Sequence, residues 1–358
     1  MNFKPGGMAT GIGSMPFLEP DNALSLIFEN LPEAPHWPQL PRRGEAEGFV
    51  YQFLNPLVEM GLLVKDGGKT YFNTLDNDWA DRMTEFYSTY LAAEEGDVQA
   101  LERFAVPSDS AVGLYSFINR LKESGTGQAR YLKGQEAGPL TIGFQLKDAE
   151  GRFSYYEDQL RDILVKTLAM HARWQTKTLS QFGLPVIFFV DEPGIGVYGK
   201  GTHITVTREM ILADMNAIAG AVHAANGLPG VHSCDAIDWS LLFESDMDIV
   251  NLDVYNFASS LIPTAKELKQ YLKRGGIMAW GMAPTTDDAF NETAETLLDR
   301  LYDIWAELEK RGIDRGLLKE QSLITPACGA GLLEEKLTQQ IYRLTREISA
   351  KLAGTDAS

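Results

Sequence analysis

The sequence predicts a (β/α)8 TIM barrel carrying one long insertion after its second strand. Three observations lead there. Short apolar segments alternate with longer amphipathic ones, the pattern of a parallel sheet built from βαβ units. Eight strand candidates can be marked out, most of them followed by a helical stretch. Polar residues gather where those candidates end, at Ser14, Gln39, Gln135, Asp191, His232, Cys234, Asp253 and Cys328. Barrels of this class build their sites at that end of the strands.

Taken in order, MATGIGSM (8–15) reads as the first strand, and DNALSLIFENL (21–31) follows with an aspartate start and helical spacing. APHWPQLP (34–41) is an awkward second strand, because its prolines suit a strand end or edge better than a strand middle. Residues 42–128 form the irregular part, with helices expected near 45–60, 78–93 and 109–123 and a hairpin around GLLVKDGGKTYF (61–72). No linker rich in serine, glycine and proline bounds this stretch, so it reads as an insertion and residues 1–358 as a single barrel domain.

Beyond it the alternation is regular. ARYLKGQEAGP (129–139) ends a strand, and a helix over 153–182 carries Leu160, Leu164, Leu168, His171 and Trp174 on one face. LPVIFFVDEP (184–193) is a continuous apolar run, as in a strand buried on both faces. A helix over 207–225 leads to PGVHSCDA (229–236). MDIVNLDVYN (247–256), a helix near 263–273, GIMAWGMAP (276–284), a helix near 290–311 and SLITPACG (322–329) follow. A last helix over 332–352 has Leu333, Leu337, Ile341, Leu344, Ile348 and Leu352 as its inner stripe.

The composition is that of an ordinary globular chain, 44% hydrophobic and 23% charged over 358 residues. A formal net charge of −17 with no long basic run argues against nucleic acid or an anionic membrane as a partner. No apolar stretch approaches the length that spans a bilayer. The first residues, MNFKPGGMATGIGSMPF, place glycine and proline where a signal peptide needs continuous apolar sequence. A cytoplasmic location is expected. There the chain's two cysteines serve as packing groups, a nucleophile or metal ligands rather than as a disulfide.

Both cysteines fall at strand ends. His232 and Cys234 are two apart on one strand and so share a face, and Cys328 closes the eighth strand. Cysteine thiolate mixed with histidine nitrogen is a zinc-type ligand set, and Asp253, after IVNL, is the acid best placed to be a fourth ligand. The bland alternative is a buried cysteine acting as a small hydrophobe beside a hydrogen-bonded structural histidine. His171 sits on an apolar helix face and reads as core, and His36, His203 and His223 show no partner in the sequence. In VDEP, a carboxylate at the end of an apolar strand costs free energy unless it binds something. Asp191 is therefore either a cap or an anchor for a cationic group such as a substrate amine. GIGSMP at the first strand end offers backbone N–H groups and the Ser14 hydroxyl to an anion, or is simply a tight turn.

GIGSMP, KGQEAGP, VDEP, HSC, NLDVY and TPACG stand in the order seen in cobalamin-independent methionine synthase. The chain resembles that family's C-terminal catalytic barrel over nearly its whole length apart from 42–128. The wider superfamily includes uroporphyrinogen decarboxylase and the zinc methyltransferases that draw methyl groups from corrinoids. The resemblance implies a zinc ion on His232, Cys234 and Cys328, with Asp253 standing where the family has a glutamate. It also implies homocysteine contacts at Ile12, Gly13 and Ser14, and at Asp191 for the amino group.

There are departures. The large family members carry a second barrel that helps hold polyglutamyl folate. A family histidine after the seventh strand is replaced here by WGMAPTTDD (280–288). The glutamate expected after the second strand is not evident, and Gln39 lies near its place. These departures point away from folate as donor.

The expected function is thus a zinc-dependent methyltransferase acting on a small-molecule thiol, with a methyl-corrinoid protein as donor, since the chain has no corrinoid motif of its own. Two other classes stay open. One is decarboxylation of a porphyrinogen, which wants more arginines than the early Arg42–Arg43 pair. The other is a barrel that binds a thiol or metal without turnover.

Overall fold

The computed structural model describes residues 3–66, 68–201 and 205–354. Its strands are β1 (Met8–Ala9), β2 (Leu63–Asp66), β3 (Lys69–Phe72), β4 (Leu132–Ala137), β5 (Lys147–Asp148), β6 (Val186–Asp191), β7 (Leu228–Ser233), β8 (Ile249–Asp253), β9 (Ile277–Ala283) and β10 (Ser322–Pro326). Seven of them form one curled parallel sheet in the order β1-β10-β9-β8-β7-β6-β4. Every residue of β4 and of β6 to β10 is buried. That accounts for the uninterrupted apolar runs, since helices cover one face of a parallel sheet and side chains from opposite strands cover the other.

Alternation along the strands sorts the two faces. Ile187, Phe189, Leu228, Ile249, Ile277, Ala279 and Leu323 pack together with Phe3, Met8 and Ala34 as an inner cluster. Phe188, Val190, Val231, Val250 and Leu252 join the larger cluster under the helices. The main covering helices are Pro20–Asn30, Asp158–Ser180, Arg208–Ala224, Ala265–Lys273, Ala294–Glu309 and Glu335–Ala353. In the last, Leu337, Ile341, Leu344, Ile348 and Leu352 are buried, at the expected helical spacing.

The first and second strand candidates are only partly strand. The first registers as Met8–Ala9, although Thr10 N still donates to Ile324 O at 3.0 Å. The second forms isolated parallel bridges instead, His36 to Lys133 and Ser14 to Gln39. Lys133 N donates to Pro35 O, Trp37 N to Lys133 O, Gln39 N to Gly13 O, and Met15 N to Gln39 O. The segment 35–39 therefore bonds to the edge strand β4 on one side and to residues 13–15, beyond the end of β1, on the other. Its prolines at 35 and 38 remove the donors that a continuous ladder needs.

The helix expected near 45–60 is broken. Three 3-10 turns, Pro41–Arg43, Glu45–Glu47 and Tyr51–Phe53, precede a short helix at Asn55–Glu59. Gly44 has φ +134, a conformation open to glycine, which interrupts any helix at that point. The hairpin β2–β3 forms as expected, and β5 extends it to a second, three-stranded sheet. Helices at Trp79–Glu94 and Val112–Ser124 occupy their expected places.

Residues of 42–128 share the main apolar cluster with the Asp158–Ser180 helix. Tyr87 Oη donates to Asp162 at 2.7 Å and Trp174 Nε1 to Glu102 at 3.0 Å across that junction. Gly113 marks the tightest approach: a Cβ there would stand 1.9 Å from Pro38 O. Gly113→Ala gains about 1 kcal/mol of helix propensity, but the helix must be pushed off the 35–39 segment, an overpacking cost of about 3 kcal/mol. A net loss of about 2 kcal/mol in urea unfolding is expected. A variant as stable as the parent would contradict this packing.

Among the described residues no helix is long and apolar enough to cross a membrane.

Candidate metal centre

His232 stands on β7 and is 3% exposed. Cys234 lies just beyond that strand, and Cys328 two residues beyond β10. One ligand atom from each of the three can be chosen so that all lie within 4.8 Å of one another. No disulfide joins the cysteines, and both are partly buried. The His232 ring has its Nδ1 on Asn251 Oδ1. Its Nε2 is buried and has no hydrogen-bond partner among the described residues. A buried ring nitrogen beside two sulfurs is expensive unless a thiol, a ligand or a cation takes its lone pair.

The charges at this cluster are strongly perturbed. Cys328 and then His232, both beside Cys234, hold its thiol far below the usual range, against the opposing effect of burial. The negative sulfur of Cys234, reinforced by burial, pushes Cys328 the other way. Burial opposes charge on His232, but the adjacent Cys234 and Asp191 outweigh it and raise the pKa. One sulfur of the pair, that of Cys234, thus favours the negative form, the form in which a cysteine binds a thiophilic metal.

Asp253 does not join the three. It ends β8 and caps the helix Val254–Leu261, its Oδ1 accepting from Asn256 N at 2.9 Å and its Oδ2 from Asn256 Nδ2 at 2.7 Å. Its carboxyl pKa is raised by burial, with the Asn256 hydrogen bonds and His232 opposing.

Asp191 ends β6 in register with His232. It is 4% exposed, and its Oδ1 has no partner among the described residues. Burial raises its pKa to about 6, against the stabilising charges of His232 and Lys133. The neighbouring acid of VDEP, Glu192, has a different task. It is fully buried and accepts from Leu140 N at 2.7 Å and Thr141 N at 2.8 Å at the start of the Pro139–Gly143 helix. One acid of that pair is a cap, and the other is an unpaired acceptor beside the metal-type cluster.

Ile12, Gly13 and Ser14 follow the end of β1. Ser14 Oγ accepts from Gly331 N at 3.2 Å and Ser14 O from Ala330 N at 2.9 Å, so the turn packs on the loop that carries Cys328. A Cβ on Gly329 would stand 2.2 Å from Ser14 Oγ. Gly13 has φ +154, and a Cβ there would meet the Gln135 side chain at 2.8 Å.

Three functional candidates escaped the sequence reading. Lys133, on β4, is fully buried, and its Nζ donates to Ile12 O at 2.6 Å and Gln135 Oε1 at 3.2 Å. It also sits 4.5 Å from the centre of the Phe189 ring. Burial draws its pKa down to about 7, with Asp191 opposing. Lys133 therefore ties the Ile12–Ser14 turn to the side of the site that holds Asp191. Glu136 is fully buried with both carboxylate oxygens unpaired among the described residues, and burial and then Asp191 push its pKa well up. Asn251, which holds His232, is the third. The available signal was a polar residue within an apolar strand in IVNLD, and three polar residues in KGQE where a buried strand was expected.

Two histidines without an evident partner do have one. His36 is buried between Trp37 O and Tyr342 Oη, each at 2.8 Å, and His223 pairs with Asp248 at 2.9 Å. His171 is core, bonded to Phe104 O and Gln175. His203 lies outside the described residues.

No protein-family model matches the chain, and no curated protein matches it. Among solved structures, a proposed vitamin B12-independent methionine synthase from Listeria monocytogenes aligns at TM-score 0.44 and 16% identity, over 68% of this chain and 69% of the other. A catalytic module of a pneumococcal exo-β-D-N-acetylglucosaminidase aligns at TM-score 0.46 and 11% identity, over 96% and 85%. Dihydropteroate synthase from Xanthomonas albilineans aligns at 0.21 and 10%, over 67% and 88%. At such scores none of these likenesses carries an argument about this chain's chemistry, which rests on its own residues.

Proposed function

We propose that this chain is a zinc-dependent methyltransferase that methylates the sulfur of an amino-acid thiol such as homocysteine, with a methyl-corrinoid as donor. The observation that carries the reading is the convergence of His232, Cys234 and Cys328, the chain's only two cysteines included, around an unpaired buried imidazole nitrogen. The bridges of His36 to Lys133 on β4 and of Gln39 to Ser14, in the segment that follows β1, support an eighth strand closing a (β/α)8 barrel. On that reading the site stands at the barrel mouth, and 42–128 is an insertion in a single domain.

His232, Cys234 and Cys328 would hold the zinc, and the fourth place would be open to the acceptor sulfur or to Asp253 after release of Asn256. Three protein ligands with an open position are the mark of a catalytic rather than a structural zinc site. Bound zinc supplies Lewis acidity that keeps a thiol deprotonated at neutral pH.

Asp191, with its free oxygen, would take the substrate ammonium in a charge-assisted bond. The Ser14 hydroxyl and the backbone of Ile12–Ser14 would receive the carboxylate, with Lys133 fixing the turn through Ile12 O. A methyl-corrinoid would supply a methyl group whose bonding electron pair the corrinoid itself would keep as the acceptor sulfur took the carbon, so this chain would not have to deliver a proton to the leaving group. Methyl-tetrahydrofolate differs, because its N5 must be protonated before it leaves. The turn MAPTT (282–286), after β9, has no titratable side chain to serve that need.

The test is methyl transfer by the zinc-loaded protein to homocysteine from methylcobalamin and, separately, from methyl-tetrahydrofolate. Methionine is expected from the first and not the second. Efficient turnover with folate and no corrinoid overturns the donor. Stoichiometric zinc with no transfer from either donor leaves a thiol- or metal-binding barrel instead.

A further inference from the structure

On the metal-site reading above, the partner of His232 on the next strand decides which of its ring nitrogens is free to bind. Asn251 is fully buried on β8, in register with His232 on β7. Its Nδ2 donates to Ala279 O on β9 and to Thr325 Oγ1 on β10, both at 2.8 Å. A backbone carbonyl oxygen can only accept. The amide nitrogen of Asn251 must therefore face Ala279, and the amide oxygen must face His232. That oxygen also can only accept, so His232 Nδ1 must carry the proton. In the neutral ring the lone pair is then on Nε2, the buried atom with no partner among the described residues.

We propose that Asn251 is a positioning residue that selects the Nδ1–H tautomer of His232 and so commits Nε2 to the pocket of Cys234 and Cys328. The chain of bonds runs His232, Asn251, then Ala279 O and Thr325, across the four adjacent strands β7 to β10. Thr325 is three residues before Cys328. The same chain therefore ties the strand that carries His232 and leads to Cys234 to the strand that leads to Cys328. The spacing of the three ligands depends on it as well as the tautomer. Such outer partners orient ligating histidines, and their removal typically weakens metal binding about 10- to 100-fold.

The experiment uses the full chain labelled with 15N-histidine, reduced, at alkaline pH where imidazole is neutral, both metal-free and with one equivalent of zinc. Long-range 1H–15N spectra read the His232 tautomer, and competition with a chromophoric chelator reads zinc affinity. The parent is expected to show Nδ1–H in both states. Asn251→Leu, near in size but with no acceptor, is expected to populate Nε2–H without metal and to bind zinc about 10- to 100-fold more weakly. Asn251→Asp keeps the acceptor toward Nδ1 but gives up the donor to Ala279 O; it is expected to keep Nδ1 protonated, and the parent's own tautomer carries the test if either variant fails to fold.

A parent with Nε2–H, or an Asn251→Leu protein with unchanged tautomer and unchanged zinc affinity, overturns the proposal. So does an Asn251→Asp protein that shifts to Nε2–H. If the parent binds no zinc, the metal-site reading fails, yet the metal-free spectra still decide the role of Asn251.

Discussion

Cys328→Ala protein is expected to purify without stoichiometric zinc and to transfer no methyl groups while remaining folded. The two roles open to this sulfur differ greatly in size. As a partly buried hydrophobe, its loss costs on the order of 1 kcal/mol of stability and leaves the chemistry intact. As one of three protein ligands, its loss leaves His232 and Cys234 alone, too few to hold zinc tightly. Zinc content by elemental analysis and thermal unfolding on the same preparation separate the cases. A variant that keeps one zinc per chain removes Cys328 from the ligand set.

Asp191→Asn is expected to raise KM for homocysteine about 10- to 100-fold, the worth of one hydrogen bond to a charged group, about 1.5–3 kcal/mol. KM for a simple alkyl thiol, which has no ammonium, should hardly change. Equal effects on both thiols would remove the amine-anchor role. The pH dependence follows from burial, which places the Asp191 pKa at about 6 against an ordinary 3.8. The carboxylate that binds an ammonium exists above about 6, so homocysteine affinity should fall as pH drops through that value, and the Asn variant should show no such step. The sign for stability is opposite. A group that holds its proton more tightly when folded loses stability as pH rises from near 3.8 to about 6. The ionised Asp191 is thus a cost to the fold that a bound cationic group would offset.

Strands such as β6 were legible because they are buried on both faces, which leaves a continuous apolar run, VIFFV, ending in a polar residue. The long helices were legible from their stripes, as in Glu335–Ala353. The segment 35–39 was ambiguous for a physical reason: its prolines remove ladder donors, and it bonds to its neighbours through a few bridges only. The helix expected near 45–60 is realised only as the short turn-and-helix series that ends in Asn55–Glu59, where Pro56 stands in the first turn.

At the site, His232, Cys234 and Cys328 could be grouped from the sequence because strand-end position puts distant residues at one place. The role of Asp253 could not, because its two oxygens are taken by Asn256 three residues on, a cap that competes with ligation. Lys133 and Asn251 were hidden because their partners are remote in sequence: Ile12 and Phe189 for the first, Ala279 and Thr325 for the second.

X-ray absorption at the zinc edge, on the purified chain with and without homocysteine, reads the ligand set itself. Two sulfurs at about 2.3 Å and at least one nitrogen at about 2.0 Å are expected, with a third sulfur appearing when the thiol is added. Fewer than two sulfurs in the free protein, or a sulfur count unmoved by saturating homocysteine, would contradict it.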